Sequence, residues 1–145
     1  MELVSLERLA LLKEPEPVTK FPLDNQMLLE MNELLDKSGG VGLAATQVGL
    51  NLRFFLLKPA KQTFVVCNPE ASNLSTRMAL CKEGCLSLPN QRFVVPRYWS
   101  IRLDGQNENG EKLCWNLKGL MAQICQHELQ HLFGLTIKDI SERIK

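Results

Sequence analysis

Apolar residues recur at helical spacing in two segments of the chain and in short runs between them. After Asp24, a residue type that caps helix N-termini, apolar positions repeat every three or four residues as far as Ser38, and two glycines follow. This pattern predicts a surface helix that ends at the glycine pair. A second helical pattern begins near Leu117 and runs to Gly134, where a glycine again marks a helix end.

The segments outside these two patterns predict extended structure. Alternate prolines at Pro15 and Pro17 exclude a helix there and favour an extended arm. Asn68-Pro69 is expected to break a strand, and Asn109-Gly110 carries a hairpin-turn signal. Runs rich in β-branched and aromatic residues predict short strands at residues 53–57, 63–67, 94–95, 100–103 and 112–115, and residues 71–78 are a further candidate.

Because strands come first and the second helix last, without regular alternation, the predicted fold class is α+β with mostly antiparallel strands. The length favours a single domain over residues 1–145. A formal charge of +1 gives no electrostatic reason to expect nucleic acid or a membrane surface as a partner. No stretch approaches membrane-spanning length and the acidic N-terminus lacks the apolar run of a secretory signal, so we expect a cytoplasmic protein with reduced cysteines.

The second helical pattern carries the strongest chemical signal. Residues 126–131 (QHELQH) contain both histidines of the chain, four residues apart, with Glu128 directly after the first. On a helix this spacing puts the imidazoles of His127 and His131 on one face, where both can bind one metal ion. Glu128 points aside and can hold a proton. A buried amphipathic helix that happens to contain two histidines has the same pattern.

A catalytic metal ion typically has three protein ligands, so one more is needed. Downstream of the helix the acids are Asp139 and Glu142, and no third histidine exists. The remaining candidates are upstream thiols, of which Cys85, in a predicted constrained loop between glycine and leucine, is the best placed. The other four cysteines lie in strand or helix patterns, which favour burial.

Residues 40–49 are rich in glycine and alanine, which lets a backbone approach a ligand closely. Gln47 is the one amide in this segment that can bind a polar group. A dinucleotide-binding loop is a poor alternative, because a helix and not a strand is predicted before the glycines. A small-residue turn packed under a sheet has the same composition.

Three segments, in this order, resemble the signature motifs of the peptide deformylases: residues 40–47 (GVGLAATQ), 83–87 (EGCLS) and 126–131 (QHELQH). The resemblance covers most of the chain, from about Pro15 to Gly134. It implies an α+β fold around a central HExxH helix. It also implies an enzyme that removes the N-formyl group from the initiator formyl-methionine of newly made polypeptides, with one divalent metal ion, natively Fe²⁺, for which Zn²⁺, Ni²⁺ or Co²⁺ can substitute.

The resemblance also implies roles for single residues. Cys85, His127 and His131 match the metal ligands. Glu128 matches the general acid–base, which takes a proton from the metal-bound water and returns it to the leaving amine.

Two further matches concern the oxyanion and the methionine pocket. Gln47 and the backbone N–H of Leu86 match the donors that stabilise the oxyanion formed when metal-bound hydroxide attacks the formyl carbon. The pocket for the methionine side chain is expected beside the metal, although its members also fit an ordinary core. The expected substrate-binding residues are Val41, Gly42, Gly84, Leu120 and Ile124.

The sequence departs from the family pattern at two points. Gln130 stands where the family usually has aspartate, expected to pair with an arginine such as Arg97; glutamine keeps a hydrogen bond but not the ion pair. We therefore expect metal binding and hydrolysis to survive, with some loss of local stability or ligand orientation. The expected partners are N-formyl-methionyl nascent peptides. The ribosome is a further possible partner in this family, but the chain stops at Lys145 without an extended C-terminal helix, which weakens the expectation that it docks there. Short members occur in bacteriophages, and a phage-encoded protein would act in the host cytoplasm.

Three other functions use the same residues. A zinc endopeptidase would need a carboxylate or histidine as third ligand. An inactive, deformylase-like binding protein would be expected to have lost Glu128, Gln47 or Cys85, and all three are present. A hydrolase with Cys85 as nucleophile and a histidine as base would keep its activity in a chelator.

Overall fold

The computed structural model describes residues 1–143, with side chains as far as residue 141, so the side chain of Glu142 and the chain end at Lys145 lie outside the described residues. The helices over this range are α1 (Leu6–Leu11), α2 (Asn25–Ser38), a short 3-10 helix (Ala45–Val48), α3 (Leu120–His131) and α4 (Ile137–Arg143). The strands are β1 (Gly42–Ala44), β2 (Phe54–Leu57), β3 (Phe64–Ser72), β4 (Met78–Cys85), β5 (Leu88–Tyr98), β6 (Ser100–Gln106) and β7 (Lys112–Lys118).

The strands form two antiparallel sheets, as predicted for the α+β class. Five strands pair in the order β1-β2-β3-β6-β7, and β4 and β5 form a separate two-stranded sheet. Helix α3 contacts both sheets, through β1, β2 and β7 on one side and β5 on the other. None of the helices over residues 1–143 has the length and apolar content that a membrane crossing requires.

Strand β2 has a buried apolar cluster on each of its two faces. Phe54 and Leu56 pack in the cluster that includes Leu35 of α2, whereas Phe55 and Leu57 pack in the cluster of α3. All four residues of the strand are buried. A strand covered on both faces needs apolar residues at every position, which explains the uninterrupted run Phe-Phe-Leu-Leu.

The first predicted helix is confirmed, with its ends. The side chain of Asp24 accepts a hydrogen bond from the Gln26 N–H at 2.8 Å, as an N-cap does. Gly39 ends the helix with a φ of 67°, in the left-handed region that glycine adopts without strain. The predicted turn at residues 109–110 is also present, with Gly110 at a φ of 85°.

The second predicted helix begins later than its pattern suggested. Leu117 belongs to β7, where it pairs with Ile101 of β6, and α3 starts at Leu120 after Gly119 turns the chain at a positive φ. The helix ends at His131, and Gly134 follows in a turn at a φ of 73°. The error arose because an apolar residue at the end of a strand also fits the first turn of the following helix.

Two predictions for the middle of the chain were wrong. Asn68-Pro69 does not end β3, because the strand bulges between Cys67 and Glu70 and continues to Ser72. Within this bulge the side chain of Asn68 forms a hydrogen bond to another segment, since its Oδ1 accepts from the Val18 N–H at 2.8 Å. Residues 71–78 are not a separate strand, since 71–72 end β3 and 73–77 form a loop.

The segment of Cys85 was also predicted incorrectly. Cys85 is the last residue of β4 rather than part of a loop, and residues 86–87 form the turn into β5. Strand β5 is much longer than the predicted residues 94–95. The sequence analysis did not predict the short helices α1 and α4.

Candidate metal centre

Side-chain hydrogen bonds hold α3 against its neighbours. The amide of Gln126 pairs with the backbone of Tyr98 in β5, since Oε1 accepts from its N–H and Nε2 donates to its carbonyl oxygen, both at 2.9 Å. The Thr46 hydroxyl donates to the carbonyl oxygen of His131 at 3.1 Å. The histidine-bearing turns of the helix are therefore fixed relative to β5 and to the 3-10 helix.

The structure brings together the three predicted ligands Cys85, His127 and His131. Cys85 Sγ lies 3.3 Å from His131 Nε2, which lies 3.1 Å from His127 Nε2. The possible ligand atoms all lie within 4.8 Å of one another. Burial lowers the pKa of His131 well below its usual value, so its imidazole is neutral. One thiol and two imidazole nitrogens that face one point fit a divalent transition-metal ion.

Glu83 connects this centre to a buried arginine. Its Oε1 accepts from His127 Nδ1 at 2.9 Å, and its two oxygens accept from Nη2 and Nε of Arg97 at 2.7 and 2.9 Å. Burial raises the pKa of Glu83, but the hydrogen bonds from Arg97 and His127 outweigh it and bring the pKa to about 2. An ionised acceptor at Nδ1 makes that nitrogen the proton donor and turns Nε2 towards the cluster, where it would bind a metal ion.

The sequence analysis assigned no role to Glu83. It lies two residues before Cys85 on β4, and alternate residues of a regular strand face the same side, although the pairing with β5 shifts register between these two residues. A carboxylate at that spacing from a candidate ligand could have been noticed if the segment had been recognised as a strand.

The predicted hydrogen bond between Arg97 and Gln130 is present. Arg97 Nη1 donates to Gln130 Oε1 at 2.6 Å. Arg97 is only 2% exposed, which rules out a role as a surface charge. The guanidinium therefore has one carboxylate partner, Glu83, and one neutral partner, Gln130.

Glu128 is buried beside the ligand cluster. Its Oε1 lies 3.8 Å from His127 Nε2, and its Oε2 has no hydrogen-bond partner among the described residues. Burial raises the pKa of the carboxyl to about 7, although the charges of His127 and Arg97 oppose the shift. A Cβ on Gly42 would lie 2.9 Å from this carboxyl group, so the glycine provides the space that Glu128 occupies.

The amide of Gln47 is oriented by bonds at both ends. Its Oε1 accepts from the Ala44 N–H at 2.9 Å, and its Nε2 donates to Ser87 Oγ at 3.0 Å and lies 3.7 Å from Cys85 Sγ. The N–H side of the amide therefore faces the candidate ligand cluster. Leu86, the other predicted oxyanion donor, directly follows Cys85 in the turn.

An open cleft of about 910 Å³ leads to these groups. At its rim Val41 and Leu120 are 47% and 63% exposed, so these two are not core residues, whereas Ile124 is buried. The cleft is lined by all five predicted substrate-binding residues, which are Val41, Gly42, Gly84, Leu120 and Ile124. Five residues of the proposed catalytic and metal-binding groups also line it: Gln47, Cys85, Leu86, His127 and Glu128.

Of the two downstream acids available to the endopeptidase hypothesis, Asp139 has another role, and the side chain of Glu142 lies outside the described residues. Asp139 Oδ2 accepts from the N–H and the hydroxyl of Thr136, at 2.9 and 3.1 Å, at the start of α4. This carboxylate is not in the cluster of possible metal ligands, which consists of Cys85, His127 and His131.

Comparisons with known proteins find similarity along the whole chain. The family model described as polypeptide deformylase matches residues 1–145. The peptide deformylase of Thermotoga maritima is 38% identical over 128 residues, which cover 88% of this chain and 78% of that protein. The peptide deformylase of Borreliella burgdorferi is 38% identical over 115 residues, which cover 78% and 70%.

Solved structures show the same similarity in three dimensions. The crystal structure of the Thermotoga maritima peptide deformylase gives a TM-score of 0.87 with 34% identity, over 96% of this chain and 95% of that one. A probable peptide deformylase from a Synechococcus phage gives a TM-score of 0.82 with 31% identity, over 97% and 99% of the two chains.

Proposed function

The chain belongs to the polypeptide deformylase family of metal-dependent hydrolases, and from that premise we propose how its own residues remove the N-formyl group from formyl-methionine at the start of new polypeptides. Cys85, His127 and His131 hold the metal ion, and Glu128 moves the proton. The observation that carries this proposal is the convergence of Cys85 Sγ and two imidazole Nε2 atoms beside a buried carboxyl group. Such substrates are made on the ribosome, so we propose the cytoplasm as the site of action.

The donor set supports a first-row divalent ion. Imidazole and thiolate ligands suit several such ions, and we propose Fe²⁺ as the native one with Zn²⁺, Ni²⁺ or Co²⁺ as substitutes. A bound ion of this kind would acidify a water molecule and polarise the formyl oxygen. Cys85 binds as the thiolate, which the charge of a cation favours.

Glu128 accepts a proton from the attacking water and returns it to the leaving amine. Its unpartnered Oε2 is available for that proton, and burial, which raises the pKa of the carboxyl group, favours uptake of the proton from water. Gly42 is required beside it, because a side chain there would displace the carboxyl group.

Gln47 and Leu86 stabilise the negative charge that develops on the formyl oxygen. The bond from the Ala44 N–H to Gln47 Oε1 holds the amide so that its N–H side faces Cys85. The backbone N–H of Leu86 is the second donor. Removal of one such donor in comparable hydrolases costs on the order of 100-fold or more in rate.

The apolar part of the cleft takes the methionine side chain. Leu120 and Ile124 lie one turn apart on α3, on the side that leads to His127, and Val41 lines the same cleft. Gly42 and Gly84 leave room for the backbone of the peptide. The size of the cleft is sufficient for a formyl-methionine and a few following residues.

One distance favours a second candidate function. Cys85 Sγ and His131 Nε2, 3.3 Å apart, are also placed as a thiol nucleophile and its base would be. A cysteine hydrolase of this kind would not depend on a metal ion.

The deciding experiment measures formate release from formyl-Met-Ala-Ser by protein purified without oxygen. We expect release to stop in a chelator and to return when Fe²⁺ or Zn²⁺ is added back. Release that continues without metal would make Cys85 the nucleophile. No release from protein that holds one ion per chain would contradict the proposed substrate.

A further inference from the structure

The side chain of Gln130 is the first member of a series of hydrogen bonds that reaches a proposed metal ligand. Gln130 Oε1 accepts from Arg97 Nη1 at 2.6 Å. Arg97 also donates from Nε and Nη2 to the two oxygens of Glu83, at 2.9 and 2.7 Å. Glu83 Oε1 in turn accepts from His127 Nδ1 at 2.9 Å. The series starts on α3, crosses β5 and β4, and returns to α3.

The charges of Arg97 and Glu83 balance each other in this series. Arg97 and Glu83 are 2% and 6% exposed, so water screens neither of them effectively. One guanidinium opposes one carboxylate, and Gln130 contributes an amide without charge. The positive charge of Arg97 is therefore directed at Glu83 and is not shared with a second carboxylate.

The strength of Glu83 as an acceptor affects the metal side of His127. A carboxylate that accepts from one ring nitrogen of a histidine increases the basicity of the other nitrogen, and with it the affinity for a metal ion. A guanidinium bound to both oxygens of that carboxylate draws electron density away from the bond to His127. With a neutral partner at position 130, Glu83 alone balances the charge of the Arg97 guanidinium. With a charged partner there, the two carboxylates would divide it.

We propose that Gln130 is a positioning residue that moderates the metal affinity of the centre through Arg97 and Glu83. Its neutral oxygen fixes the guanidinium without sharing its charge, and so limits the basicity of His127. A carboxylate of the same length at this position would share Arg97, restore electron density to Glu83 and tighten metal binding. The inference rests on the proposed metal centre and not on the identity of the substrate.

The test is the Zn²⁺ dissociation constant of metal-free protein, measured by competition with a chromophoric chelator. Gln130→Glu is expected to lower the dissociation constant by about tenfold, the lower end of the range for groups that hydrogen-bond a metal ligand. Gln62→Glu, on the exposed loop between β2 and β3, changes the net charge equally and should leave the constant unchanged. An unchanged constant in Gln130→Glu would overturn the inference.

A double-mutant cycle shows whether the effect passes through Glu83. In a Glu83→Gln background, Gln130→Glu should bring little further gain. An equal gain in both backgrounds would mean that the new charge attracts the ion directly through space, and would overturn the proposed route.

A spectroscopic readout covers the case in which Glu83→Gln does not fold. In zinc-loaded protein the NMR signal of the His127 Nδ1 proton should move downfield in Gln130→Glu, because its hydrogen bond to Glu83 becomes stronger. An unmoved signal would overturn the inference. Absence of zinc binding in the unsubstituted protein would instead overturn the proposed metal centre, and this inference with it.

Discussion

The floor of the cleft and its rim differ in how their side chains are held. At the floor, Glu83 and Arg97 are buried and bonded to each other, and Glu83 also holds His127. At the rim, Val41 and Leu120 are largely exposed apolar side chains. Contacts from several elements thus hold the proposed catalytic and metal-binding groups, whereas the two proposed substrate contacts at the rim are exposed to solvent. Substitutions at the floor should affect metal, stability and rate, and substitutions at the rim should affect mainly substrate binding.

The largest effect is expected at the thiol. Cys85→Ser replaces the proposed thiolate ligand with a hydroxyl group, so bound metal and formate release should both fall to background. Metal analysis and a formate assay on the same sample measure this. Cys114→Ser, at an exposed cysteine on β7, is the matched control and should change neither. Full metal occupancy in Cys85→Ser would remove this residue from the ligand set.

The next effect concerns stability at the floor. Arg97→Met leaves the Glu83 carboxylate buried without its main partner, which should cost about 3–5 kcal/mol in the free energy of unfolding. Urea denaturation of the metal-free protein measures the loss. Arg102→Met breaks an exposed ion pair with Asp104 and should have little effect. Equal losses in both variants would show that the floor is not held more firmly than the surface.

A smaller effect is expected where the floor meets β1. The Cβ of Gly42→Ala would lie 2.9 Å from the Glu128 carboxyl group, which must then move. We expect kcat to fall on the order of 10–100-fold with metal content unchanged, because misplacement of a catalytic group by about 1 Å has costs of this size. In Gly84→Ala the nearest atom to the new Cβ is Gln91 O at 3.6 Å, an ordinary contact. Glu128 then stays in place, so kcat should be retained, and any effect should fall on KM because Gly84 lines the proposed peptide site. Retained kcat in Gly42→Ala would contradict the placement of Glu128.

The smallest effect on the fold is expected at the rim. Leu120→Ala removes a side chain that is mostly in water, so the free energy of unfolding should change by about 0.5 kcal/mol or less. KM for formyl-Met-Ala-Ser should rise several-fold with kcat nearly unchanged, because the pocket loses apolar contact. Steady-state kinetics measure KM and kcat, and urea denaturation measures the free energy of unfolding. A fall in kcat with unchanged KM would place Leu120 with the chemical groups.

The sequence predicted what depends on local spacing. Asp24 and Gly39 defined the ends of α2, and the histidine spacing placed two imidazoles on one face of α3, because helix signals act within a few residues. The proposed ligand Cys85 came from elimination among the upstream thiols and from the family resemblance, and its strand was taken for a loop. Local spacing thus predicted the two histidines but not the thiol.

The contacts that support the site could not be predicted in the same way. Glu83 and Arg97 are not opposite each other in the hairpin, since Glu83 faces Phe93 and Arg97 faces Ala79. Their contact depends on the register of β4 and β5 and on the length of an arginine side chain. The contact between Arg97 and Gln130 was expected from the family resemblance alone, and no spacing rule connects residues 33 positions apart.

The most direct test of the account separates holding the ion from moving the proton. Glu128→Gln keeps the shape of the side chain but cannot accept a proton, so the protein should retain one metal ion per chain. Formate release from formyl-Met-Ala-Ser should fall on the order of 100–10,000-fold. A normal rate with the ion bound would contradict the role of Glu128, and loss of the ion would show that this residue belongs to the ligand set.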